Sequence, residues 1–163
     1  MRKTLPSIFF VLLGSLLATP AVYAHSQGNG NEREFEAKLR GDTNIRGHAQ
    51  VKFNRDQTGA RVTLKVAKLG DGEVTEAHLN CAPGGTINAV VASLLAPISG
   101  NYHGKPEIRF SITTANLASS PSVTCEGIEI SSIEALLEAM RAGNINADAT
   151  TSDGVIQGQF RPD

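Results

Sequence analysis

The chain has 163 residues, with 15 Lys and Arg against 16 Asp and Glu and a formal net charge of −1. That length suits one domain with its own core, and an even charge balance without a basic run argues against nucleic acid as the partner. Aromatic residues make up 5% and tryptophan is absent, which argues against stacking platforms for sugars or single strands.

In chain order, residues 1–24 read as a secretory signal peptide. Arg2 and Lys3 supply the positive start, Ile8 to Leu17 an apolar stretch too short for a comfortable bilayer span, and Val22-Tyr23-Ala24 a small-residue cleavage site. Cleavage there makes His25 the mature N-terminus. No later segment is long and apolar enough for a membrane span. Residues 25–33 are polar and Gly/Asn-rich, a flexible lead-in.

From Glu34 the pattern has period two, the mark of half-buried strands. Glu34 to Arg40 puts Phe35, Ala37 and Leu39 on one face. Gly47 to Asn54 does the same with Ala49, Val51 and Phe53, leaving His48 outward. Asn54 to Gly59 has hairpin chemistry, and Arg61 to Val66 turns Val62, Leu64 and Val66 inward. Val74 to Cys81 places Thr75, Ala77, Leu79 and Cys81 on the core face and His78 and Asn80 on the other. Pro83-Gly84-Gly85 forces a turn. Ala89 to Leu95, nearly all apolar, reads as a buried strand.

After a polar loop from Ala96 to Pro106, Glu107 to Thr113 gives Ile108, Phe110 and Ile112 one face. Ala115 to Cys125 is interrupted by Ser and Pro and reads as irregular. A helix from Ser132 to Ala142 follows. Ser131 and Glu134 form a capping box, Ile133, Leu136, Leu137 and Met140 an apolar stripe, and Gly143 the C-terminal cap. Asn144 to Thr150 and Val155 to Arg161 close the chain as strands joined at Asp153-Gly154. About eight short strands without βα alternation predict a mainly-β fold, an antiparallel β-sandwich with one short helix.

Two cysteines, Cys81 and Cys125, in an exported chain predict one disulfide.

Ala77-His78-Leu79-Asn80, Gly84-Gly85, Asn88-Ala89-Val90-Val91 and Leu94 together resemble the heart of the chordin-type (CHRD) domain. The helix with its Gly143-Asn144 end, and Gly154-Val155-Ile156-Gln157-Gly158-Gln159, resemble that family's closing elements. The resemblance runs over about Glu34 to Arg161. It implies an immunoglobulin-like sandwich, akin to copper/zinc superoxide dismutase, as a domain over residues 34–161. The family often has a second histidine where this chain has Asn80, and another where it has Asp148.

No Gly-x-Ser-x-Gly, phosphate-cradling loop or His-Glu-x-x-His occurs, so the expectation is a non-enzymatic protein with no cofactor. His78 reads either as a polar residue on a strand's outer face or as one ligand of a copper or zinc site completed by Asp148 or His103. An N-terminal His25 raises the further idea of a Cu(II) chelate. His103 and His48 read as solvated. The preferred expectation is a secreted or periplasmic CHRD-type module, binding or structural, with an extracytoplasmic protein or surface partner. The alternative is a copper- or zinc-binding sandwich, redox-linked in function.

Overall fold

The structure is a computed structural model and describes residues 33–94, 107–117 and 122–163. The expected leader, the lead-in up to residue 32, His25, His103 and the loop from Ala96 to Pro106 lie outside the described residues.

Among the described residues the fold is mainly β, antiparallel, with one α-helix, as the sequence pattern predicts. Its strands are β1 (Glu34–Arg40), β2 (Arg46–Phe53), β3 (Gly59–Ala67), β4 (Val74–Cys81), β5 (Ala89–Ser93) and β6 (Glu107–Thr113). A short ribbon follows, β7 (Thr124–Cys125) with β8 (Ile128–Glu129). Helix α1 (Ile133–Arg141) leads to β9 (Ile145–Thr151), β10 (Gly154–Gln159) and β11 (Arg161–Pro162). The main sheet runs β5-β4-β9-β10-β1-β2-β3-β6, with β11 beside β1. An antiparallel bridge between Ala92 and Leu117 brings the chain just past β6 against β5. The two ends of the strand order therefore meet, and the sheet curls around its contents as in a sandwich or barrel.

The core forms because period-two strands and a period-3.6 helix offer their apolar sides to one another. Phe35, Leu39, Val51, Leu64, Leu79 and Ile156 from the sheet, and Phe160 between β10 and β11, share one buried cluster with Ile133, Leu136, Leu137 and Met140 of α1. Each fully buried side chain of this size contributes about 1.5–3 kcal/mol. Phe35 and Phe53 meet edge to face at 6.0 Å between ring centroids.

Four local expectations are corrected. Pairing of β4 with β9 shifts register between Val74 and Glu76, and this bulge turns Val74 inward and Thr75 outward. Ala77, Leu79 and Cys81 keep the core face. In β5, a second shift opposite Leu79 and Asn80 buries Val91 and Ala92 in succession and leaves Val90 41% exposed. β5 is thus a terminal strand of the sheet order rather than one buried on both sides. The N-cap of α1 is Ser132, whose hydroxyl accepts from the Ala135 N–H at 3.1 Å, one residue later than the Ser131 capping box. Within the stretch expected to be irregular, a 3-10 turn (Thr114–Asn116) and β7 are regular. The β7–β8 turn places Glu126 and Gly127 at φ 48° and 84°, the left-handed pair that a tight hairpin needs.

Two glycines explain how closely β10 lies against β1. A Cβ on Gly158 would stand 2.2 Å from the Lys38 carbonyl oxygen, and one on Gly41 2.2 Å from that of Val155. Only glycine lets the two backbones approach this far.

Candidate functional site

Strand β4 carries the residues that the sequence singles out, and its neighbours decide their surroundings. The register sets Ser93 of β5, His78 of β4, Asp148 of β9 and Gln157 of β10 side by side in one row. All four stand on the face turned away from the core. His78 and Asp148 are therefore brought together, 70 residues apart in sequence.

One carboxylate oxygen of Asp148 takes two bonds from His78. Its Oδ1 lies 3.1 Å from the His78 backbone N and 3.1 Å from the ring Nδ1. The side chains are 20% and 14% exposed, so water competes weakly for both. When Nδ1 holds the proton and donates to Asp148, Nε2 keeps its lone pair. That is the tautomer required of a proton acceptor or a metal ligand. Among the described residues no group of three or more His, Cys, Asp and Glu is arranged to hold a metal ion.

The position two residues along β4 behaves differently from a solvated one. Asn80 is 1% exposed, and it faces Asn146 of β9, which is 3% exposed. Asn146 in turn faces Gln159 of β10. Asn80 Nδ2, Asn146 Oδ1 and Gln159 Oε1 have no hydrogen-bond partner among the described residues. Three uncompensated amide atoms on adjacent strands are uncommon, since each costs about 1–3 kcal/mol when buried unpaired. Sequence reasoning did not find this row, because Asn80 read as outward and Asn146 and Gln159 are far from it in the chain. The amide pattern itself, outward Asn, Asn and Gln on three strands, is the signal that register converts into a cluster. Gln159 is also structural: its Nε2 donates to the carbonyls of Gly143 at 2.6 Å and Ile145 at 2.7 Å, tying β10 to the end of α1 and the start of β9.

Cys81 and Cys125 form a disulfide, joining the end of β4 to the β7–β8 ribbon. No free cysteine is found among the described residues. His48 lies on the outer face of β2 with Nε2 3.2 Å from Glu36 Oε2 and a side chain 37% exposed. It is an exposed neighbour of Glu36, on a strand four places from β4 in the sheet order. Among the described residues no helix is long and apolar enough to cross a membrane. No protein-family model, curated protein or solved structure matches this chain.

Proposed function

We propose that the protein is an exported, non-enzymatic binding module of the CHRD type, holding a partner at the cell surface or in the periplasm. The observation that carries this reading is the Cys81–Cys125 disulfide, because such bonds persist in oxidising, extracytoplasmic compartments. The bond locks the ribbon before α1 onto the sheet, and a rigid sheet presents side chains in fixed register, as recognition by a module requires. The CHRD resemblance of β4, the following Gly turn and β10 supports the same reading.

Export and oxidation are tested together. Protein recovered from the extracytoplasmic fraction is expected to start at His25 by intact mass and to show no titratable thiol before reduction. Protein retained in the cytoplasm with residues 1–24 attached and two free thiols would overturn the proposal.

A second reading, a copper- or zinc-binding sandwich, is favoured by the His78–Asp148 contact at 3.1 Å. Elemental analysis of the untagged exported protein separates the two. The binding module predicts no stoichiometric copper or zinc. One equivalent, lost in His78→Ala, would replace the module reading with the metal reading.

A further inference from the structure

The charges that balance along the sequence do not balance on the sheet. Register aligns the outward residues of β1, β2, β3 and β6 in cross-strand rows. Glu34 stands beside Lys52 and Arg61. Glu36 stands beside Gln50, Thr63 and Arg109. Lys38 stands beside His48, Lys65 and Glu107, and Arg40 beside Arg46. On the other side of β1, Arg161 of β11 faces Glu36. Cations outnumber carboxylates on this face, although the whole chain is at −1.

Two of the three carboxylates are paired with cations: Glu34 with Lys52, and Glu107 with both Lys65 and Arg109. Glu36 lies 3.2 Å from His48 Nε2, a partner that carries charge only when protonated. Among the described residues Lys38, Arg40, Arg61 and Arg161 have no ion pair. Arg40 and Arg46 are direct cross-strand partners, an arrangement of like charges that destabilises a sheet unless something neutralises it. Arg46 turns its guanidinium onto the carbonyls of Thr43 and Ile45, each at 2.7 Å, and leaves Arg40 uncompensated.

Three of the unpaired cations converge. Lys38, Arg40 and Arg161 line one cleft of about 460 Å³, together with Gln159, Glu36 and Asp163. Lys38 and Arg40 are two residues apart on β1, so their side chains leave the sheet about 7 Å apart, comparable to the length of one sugar unit. Gln159 serves here as part of the wall: its two Nε2 bonds to carbonyls fix the amide, and its Oε1 is buried away from solvent.

We propose that this cleft, and the basic face of β1, β2 and β3 that continues it, binds an acidic polysaccharide. The proposal rests on the reading of the protein as an exported binding module and names its partner. A polymer of this class supplies a run of anionic groups for Lys38, Arg40 and Arg161, and it is met outside the cell, where the exported-module reading puts the protein. The outward positions of β1, β2, β3 and β6 carry no aromatic ring on which bases would stack. Binding by charge also needs none of the aromatic platforms that the composition lacks.

The test uses the full exported, oxidised protein, with dextran sulfate and alginate as probes and uncharged dextran, duplex DNA and phosphatidylglycerol vesicles as comparisons. Binding to the acidic polysaccharides is expected, weakening as salt rises and absent with dextran. Arg40→Glu and Lys38→Glu are expected to weaken it about tenfold each. Arg55→Glu, in the β2–β3 turn, makes the same change of charge and is expected to weaken it less than about twofold. All three positions are exposed, and an unchanged unfolding midpoint confirms that each variant is folded. No binding to either acidic polysaccharide would overturn the proposal, as would equal losses in Arg40→Glu and Arg55→Glu. Tighter binding to DNA or to vesicles would overturn the choice of partner. Each of these failures would occur with protein already shown to be exported and oxidised, and so would leave the module reading standing. Free thiols or cytoplasmic retention would sink that reading first.

Discussion

Asp148 holds His78 through a single carboxylate oxygen, 3.1 Å from both the backbone N and the ring Nδ1 of the histidine. The two residues are directly opposite on β9 and β4, and the pair is mostly shielded from water. Asp148→Ala leaves both donors without this acceptor. The expected loss is about 1–3 kcal/mol, read from urea unfolding at neutral pH. A loss under about 0.5 kcal/mol would show that both donors find water or another acceptor instead.

The disulfide closes a stretch with a sequence separation of 44. On the chain-entropy account, losing it costs about 3–4 kcal/mol. The Cys81→Ser/Cys125→Ser double variant is expected to show that loss in its denaturation midpoint, with its strand signal in circular dichroism retained. An unchanged midpoint would mean that the ribbon holds to the sheet without the bond.

Helix α1 gives a paired test of packing and capping. Leu137 is fully buried, and Leu137→Ala is expected to cost about 2–5 kcal/mol. Ser132→Ala removes the hydroxyl that accepts from Ala135, at about 1 kcal/mol, whereas Ser131→Ala is expected to stay within about 0.5 kcal/mol. Equal losses at the two serines would contradict the capping geometry.

Gly158→Ala places a methyl group 2.2 Å from the Lys38 carbonyl oxygen. The β1–β10 seam then has to open, at about 1–3 kcal/mol, measurable as a lowered thermal midpoint. An unaltered midpoint would mean that the seam yields without loss.

Glu107 is held below the ordinary glutamate range, first by its hydrogen bond from Arg109, Nε to Oε1 at 2.8 Å, and further by the charges of Arg109 and Lys65. Its folded pKa is depressed, so its contribution to stability is present above the unfolded value and disappears as pH falls through the folded one. Arg109→Gln is expected to move the Glu107 carboxyl titration upward in carbon-detected NMR. An unmoved titration would exclude Arg109 as the cause.

Local pattern alone determined the elements. Period two in Glu34 to Arg40 and an i, i+3, i+4, i+7 stripe in Ile133 to Met140 each leave one way to bury the apolar side, so strand, helix and inward residues follow without tertiary information. Two cysteines and the absence of competing thiols determined the disulfide in the same way. The tertiary structure decided what depends on register between distant strands. A one-residue bulge reversed Val74 and Thr75, because side-chain direction alternates at every residue. Pairing of β4 with β9 brought His78 to Asp148 and sealed Asn80 against Asn146, although nothing local marks either asparagine as buried. The separation of charge arose likewise. Alternation already puts Lys38 and Arg40 on the outward face of β1, but only the alignment of β1 with β11 brings Arg161 to the same side of the sheet.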